Sequence, residues 1–216
     1  MRHCASFLLL SLLLGSGLLP ALAPRAAHAE TDPRVRLYWS SWMTGQIAGS
    51  PADPAGSFAG SEELGQNIAA GLEAIFLNRV GVSYSRMRLQ RDFSDAAGAV
   101  ASCATPPCQI SERGLEQSLN LTLYAWDTRG NGFNAFAGGG AGNMDYSYQV
   151  DGALQTSGEL YNALSLSRWF WGIEYTYERI GFRIEISRVT AHNQLSGLEA
   201  RLEHDLRYLT LIIPLN

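Results

Sequence analysis

The sequence predicts an all-β chain: an eight-stranded antiparallel up-and-down transmembrane β-barrel, preceded by a cleaved signal peptide. Three observations predict it. The N-terminus has the layout of an export signal. The rest of the chain alternates apolar and polar residues with period two over long segments. The connections between those segments sort into short and long ones in strict alternation, as a barrel with tight turns at one rim and longer loops at the other requires.

The export signal occupies residues 1–29. Arg2 and His3 make a positive start, Phe7 to Leu19 is an almost unbroken leucine-rich run, and Pro20 ends it. A small-x-small cleavage site follows at Ala27-His28-Ala29, with Glu30 the expected first mature residue. Ala21-Leu22-Ala23 is a second candidate cut. The apolar run is about 13 residues, short of the ~20 that span a bilayer as a helix, which argues against a retained anchor. Nothing before Cys4 forms a lipid-attachment box.

Residues 30–216 form the expected barrel domain. All basic residues are arginine. Of the 16, Arg2 and Arg25 leave with the signal, so 14 face 20 acids and the mature net charge is −6 with histidines neutral. A net acidic chain with scattered arginines argues against nucleic acid as a partner. The chain is 46% hydrophobic and 17% charged, yet no mature segment reaches helical transmembrane length. Cys103 and Cys108 are the cysteines left after cleavage, and an even pair in an exported chain predicts a disulfide at a loop tip.

Eight strands are expected near 34–44, 65–77, 79–91, 112–127, 132–147, 159–178, 181–191 and 201–213. In the first, Val35, Leu37 and Trp39 oppose Arg36, Tyr38 and Ser40. In the second, Ile68, Ala70, Leu72, Ala74 and Phe76 oppose Asn67, Ala69, Gly71 and Glu73. In the fourth, Leu115, Leu119, Leu121 and Leu123 oppose Glu116, Ser118, Asn120 and Thr122, with Gln117 breaking the apolar face. In the sixth, Trp169, Trp171, Ile173, Tyr175 and Tyr177 oppose Arg168, Gly172, Glu174 and Thr176. In the seventh, Phe182, Ile184 and Ile186 oppose Arg183, Glu185 and Ser187. Short turns are expected at Asn78-Arg79, 128–131 and Arg179-Ile180, and long connections at about 45–64, 92–111, 148–158 and 192–200. These strands exceed both the ~9–11 residues that cross a bilayer at a tilt and the average of about 5–6 in soluble proteins. Lipid offers no partner to an open peptide group, so a sheet in a bilayer closes on itself.

Three segments resist. Residues 61–76 also fit an amphipathic helix opened by a capping box. Arg86 and Arg88 share a face with Val80, Val82 and Tyr84, so they stand above the lipid or the register shifts. The last strand is apolar on both faces near Leu209 to Ile213, which leaves its register open. The small-residue run Ala135–Gly142 reads as relief for curvature and interior crowding, with room for a ligand chain as the sharper alternative.

The expected inward charges are Arg36, Glu73, Glu174, Arg183, Glu185 and Arg207. An eight-stranded barrel is just wide enough to be filled by side chains, and charges there must pair, so a salt-bridged plug is expected, with a narrow polar path for small solutes as the alternative. Aromatic residues gather at water–lipid boundaries. Trp126, Tyr175 and Tyr177 are candidates for the lower belt, Trp39 and Trp42 for the upper, and Trp169 and Trp171 belong to the same set. No Gly-rich phosphate loop or metal-ligand cluster is present, so no cofactor is expected.

On its signal peptide, eight alternating segments and connection pattern, nearly all of the mature chain resembles the small bacterial outer-membrane barrels, the group of the OmpA membrane domain, OmpX and OmpW-type proteins. The resemblance implies an outer-membrane location, insertion by the barrel-assembly machinery, and outer-membrane lipids, lipopolysaccharide and surface components as partners of the outer loops. It departs from the group at its end, which reads Leu-Ile-Ile-Pro-Leu-Asn where such proteins usually carry a terminal aromatic residue. Lipid A deacylases of the outer membrane are the enzymatic relatives in layout, with a serine nucleophile, a histidine base and an acid. His192, Ser196 and Glu199, with His204 nearby, are the candidate set here. That family places its histidine two residues before the serine, whereas His192 is followed by Asn193 and Gln194, so the motif is absent as written.

Overall fold

The computed structural model describes residues 34–48, 67–95, 103–156, 161–195 and 198–215. The expected signal peptide and cleavage site lie outside the described residues. Among the described residues nine strands follow in order: β1 (Arg34–Ala48), β2 (Ile68–Phe76), β3 (Val80–Asp95), β4 (Cys108–Tyr124), β5 (Gly132–Val150), the short β6 (Ala153–Thr156), β7 (Leu164–Tyr177), β8 (Ile180–Leu195) and β9 (Leu198–Pro214). Eight of them form a closed antiparallel ring, β1-β2-β3-β4-β5-β7-β8-β9, sealed where β9 returns to β1. That seam runs from Arg36 opposite Pro214 to Ala48 opposite Glu203, with a register shift between Ser40 and Trp42. β6 folds back on the end of β5 as a small hairpin outside the ring.

Residues 68–76 are strand, so the helical alternative fails there. Alternation along Ile68–Phe76 lets β2 pair with both β1 and β3, and neither pairing is open to a helix. The turn after β2 closes with Arg79 N–H donating to Phe76 O at 3.1 Å. Leu77 and Asn78 both take positive φ, the backbone that matches the right-handed twist of a hairpin. The turn rims are laced together: Arg34 donates to Thr128 O at 2.7 Å, and Glu178 N–H to Asn131 Oδ1 at 2.8 Å.

At the other rim the strands run further than the pattern suggested. The connection expected over 192–200 is mostly ladder. His192 pairs with Arg201 and Leu195 with Leu198, leaving only 196–197 between β8 and β9. β3 and β4 likewise extend to Asp95 and Cys108, where Cys103 and Cys108 are joined by a disulfide with Cα atoms 5.8 Å apart.

This extra length divides the barrel into two storeys of opposite polarity. Near the turns the outer face is apolar: Leu119, Leu121 and Leu123 on β4, Trp169, Trp171 and Ile173 on β7, Phe182 and Ile184 on β8 are all exposed. Near the loops the outer face carries Arg86, Arg88, Arg113, Asp145, Arg188 and Arg201, and the lumen becomes a greasy core of Phe93, Ile110, Met144, Leu164, Leu166, Val189 and Leu202. The change falls between Tyr84 and Arg86, Leu119 and Gln117, Ala141 and Asn143, Trp169 and Ser167, Ile186 and Arg188, and Leu209 and Arg207. On β7 the apolar face runs from Tyr177 to Trp169. At ~3.3 Å per residue and a tilt near 40° that is a belt about 20 Å tall, close to the ~25 Å band of transmembrane barrels.

The same boundary corrects one inward assignment. Arg207 is exposed on the outer face of β9, one step beyond Leu209, and is not part of the lumen. Near Leu209–Ile213 both faces are apolar, so alternation alone could not orient it. Thr210 and Ile212, buried, settle the parity.

Candidate functional site

The lumen of the lower storey is the densest constellation of polar groups. Strand parity turns Arg36 of β1, Glu73 of β2, Tyr124 of β4, Glu174 of β7 and Arg183 of β8 into one layer, and all five are buried. Arg36 Nη2 lies 2.8 Å from Glu73 Oε2 and its Nη1 lies 2.9 Å from Glu174 Oε1. Arg183 Nη2 reaches Glu174 Oε2 at 2.9 Å and Glu73 Oε2 at 3.3 Å. Tyr124 donates its hydroxyl hydrogen to Glu73 Oε1 at 2.7 Å and accepts from Arg183 Nη2 at 2.6 Å. Two guanidinium groups thus share two carboxylates. The layer is neutral, and each charge has more than one partner, which is the condition for ionised groups to survive away from water.

Apolar rings brace this layer. Arg183 stacks over Phe136 at 4.3 Å, and Phe136 and Phe170 lie 6.3 Å apart. Glycines on two strands supply their space: a Cβ at Gly138 of β5 would stand 2.5 Å from Phe170 Cζ, and one at Gly172 of β7 would stand 2.7 Å from Phe136 Cζ.

Above lie Arg168, ion-paired with Glu185, and the hydroxyl and amide groups of Ser40, Ser85, Asn120, Thr210 and Tyr208. The cavity they leave is about 30 Å³, room for one or two waters. Higher again, His204 of β9 is fully buried with Nδ1 3.0 Å from Glu116 Oε1. Arg91 pairs with Glu112 at 2.6 Å, and Tyr146 donates to the same carboxylate at 2.8 Å. The apolar core of the upper storey surrounds that pair. Around the rim, Tyr161 packs on Tyr146 at 5.8 Å, and burial, with Tyr148 adding to it, raises its phenol above the ordinary value.

The sequence-derived site residues fall into place as follows. Arg36, Glu73, Glu174, Arg183 and Glu185 meet in the lumen. Trp126, Tyr175 and Tyr177 are exposed at the turn end, where Phe133 and Tyr175 lie 4.8 Å apart, while Trp169 stands at the upper edge of the belt and Trp39 and Trp171 within it. The Trp42 side chain lies outside what is described; its backbone pairs with Leu209. The proposed hydrolase set is divided by the barrel wall. His192 and Glu199 are exposed on the outer face, His204 points inward, and Ser196 lies outside the described residues. Among the described residues, no group of three His, Cys, Asp or Glu is placed to hold a metal ion.

Tyr124 and the pairs Arg91–Glu112 and Glu116–His204 escaped the sequence reading, whereas Arg168 lies on the polar face where the alternation puts it, outside the expected set of inward charges. Tyr124 could have been found, because it keeps the parity of Glu116, Ser118, Asn120 and Thr122. Arg91 and Glu112 sat at the margins of the expected strands, where a loop boundary conceals parity.

An apolar belt outside and a neutralised polar layer inside define an integral outer-membrane-type β-barrel. Comparison with solved structures gives the same fold. The chain is similar to Neisserial surface protein A (TM-score 0.54, 8% identity, covering 84% of this chain and 96% of that one). It is also similar to the outer-membrane protein OprG of Pseudomonas aeruginosa (TM-score 0.52, 11% identity, 86% and 97%). No family model and no curated protein matches the sequence.

Proposed function

We propose that this chain is an integral barrel of the bacterial outer membrane, closed through its centre, that acts through what surrounds it: lipid along its wall and surface components at its loop rim. The observation that carries this reading is the lumen. A five-residue layer drawn from five strands fills the lower storey, the cavity above it is about 30 Å³, and the upper storey is packed with apolar side chains. A conduit needs a continuous wet path, and ions would have to displace paired charges here.

In this reading both termini and the tight turns face the periplasm, and the polar storey with its disulfide-tied loop faces outward. The test is single-channel recording of the refolded mature chain in planar bilayers. The expected record is a flat baseline while gel mobility shows the heat-modifiable shift of a folded barrel. Stable, discrete conductance steps would replace this reading with that of a narrow pore. Density fractionation should place the protein with outer membranes, and N-terminal sequencing should begin at Glu30.

A further inference from the structure

One part of the outer wall bears a charge that nothing in the fold uses. Arg86 and Arg88 stand two residues apart on the outer face of β3. On β4, Leu115 is opposite Arg88, so Arg113, two residues further, lies on the diagonal, about 7–8 Å away and somewhat less between Cβ atoms. Among the described residues, no carboxylate lies within ion-pair distance of any of these three guanidinium groups. Arg88 has only a long contact with Gln90, at 3.5 Å. The opposite wall differs: Arg188 is paired with Asp205 at 2.6 Å, and Arg201 with Glu203 at 2.6 Å.

The position of the cluster is as telling as its charge. Directly below Arg86 on the same face come Tyr84 and Val82, and beside them Leu119, at the upper edge of the apolar belt, and Leu121 within it. The three arginines therefore sit where acyl chains end and head groups begin. They line a shallow concavity of about 420 Å³ whose floor is Gly114 and Leu115. Its far side offers Ser147, Asn162 and the carboxylate of Asp145, which is anchored by accepting Ala163 N–H at 2.8 Å. Guanidinium groups on one side and hydroxyl-binding groups on the other suit a ligand that carries both phosphate and sugar.

We infer that this face of β3, β4 and β5 is a docking site for the phosphorylated sugar head of an outer-leaflet glycolipid, with its acyl chains lying along Val82, Tyr84, Leu119 and Leu121. The inference rests on the membrane reading above. Phosphate groups take the place of the missing carboxylates beside Arg86, Arg88 and Arg113. Asp145 accepts hydrogen bonds from sugar hydroxyls and disfavours a bare anion.

The test compares the refolded mature chain with Arg86→Gln/Arg88→Gln/Arg113→Gln and with Arg188→Gln, by calorimetric titration in detergent micelles. The probes are a diphosphorylated acylated glucosamine disaccharide, phosphatidylglycerol and inorganic phosphate. The triple variant should bind the glycolipid roughly a hundredfold more weakly, at about tenfold or less per arginine near a charged surface. Arg188→Gln should stay within about twofold, since Arg188 lies on the other wall and is paired. Inorganic phosphate should not compete. Equal glycolipid binding by folded wild type and triple variant would overturn the site. Phosphatidylglycerol binding as tightly as the glycolipid would reduce it to a generic anionic surface, and full competition by inorganic phosphate to an anion site without a lipid. Failure of the wild type to show heat-modifiable migration or to enter vesicles would strike the membrane reading itself, and the site with it.

Discussion

Tyr84 and Arg86 are adjacent on one face of β3, and the boundary between hydrocarbon and water passes between them. Tyr84 donates its hydroxyl hydrogen to Gln117 Oε1 at 3.1 Å, on the polar side of the same boundary on β4. The side chain is apolar below and wet above, the arrangement that suits tyrosine to a membrane interface.

That boundary makes position along one strand face decide the cost of a charge. Leu121→Arg, within the belt, should destabilise the barrel by about 2–4 kcal/mol, whereas Gln117→Arg on the same face of β4 should cost about 1 kcal/mol or less. Urea unfolding in lipid vesicles, followed by gel mobility, measures both. Equal effects would mean that the apolar storey is not where the lipid lies.

The charge layer makes a second prediction, about single against double substitution. Glu73→Ala leaves Arg36 with Glu174 as its carboxylate partner and Arg183 with Glu174 and the longer contact to Glu185 at 3.9 Å, and removal of one partner of a buried pair costs about 3–5 kcal/mol. Arg36→Met/Glu73→Met removes both charges of the 2.8 Å pair and should lose less than Glu73→Ala. A double variant weaker than the single one would show that the layer stabilises through more than mutual neutralisation. The same unfolding titration reads the difference.

Crowding beside the plug makes a third. Gly138→Ala would place a Cβ 2.3 Å from Leu121 O and 2.5 Å from Phe170 Cζ. Overpacking of this kind costs about 1–3 kcal/mol. Adding Phe170→Leu should recover part of the loss, because it relieves the side-chain clash and leaves the backbone one. No recovery in the double variant would assign the whole effect to the β4–β5 backbone approach.

The disulfide gives a fourth. Cys103 and Cys108 are five residues apart, so the bond closes a very short loop outside the ring. Cys103→Ser/Cys108→Ser should cost about 2 kcal/mol, through the unfolded chain, and leave heat-modifiable migration unchanged. Loss of the folded band would mean that the bond holds the barrel and not only the loop end of β4.

How much of this was legible follows from what each pattern reports. Alternation reports the parity of a strand, so the inward set Arg36, Glu73, Glu174, Arg183 and Glu185 could be read from neighbours two residues away. Where both faces are apolar, as at Leu209–Ile213, parity has no contrast and Arg207 was placed on the wrong side. Where both strands continue past the membrane, as at His192–Leu195 and Leu198–Arg201, polar outer residues resemble a loop, and the ladder was missed.

The sequence by itself determined that the strands are long and two-faced, because sustained period-two alternation is the pattern of an extended backbone, and that neighbours joined by tight turns run antiparallel, because a parallel pair needs a long crossover. Tertiary structure alone decided which strands are neighbours at each height. That choice brought Arg36 to Glu174 across 138 positions of chain and set Arg113 diagonal to Arg88. The physical reason is that closure and shear of the ring are properties of all eight strands together. No single strand carries the register that the hydrogen-bond ladder imposes on it.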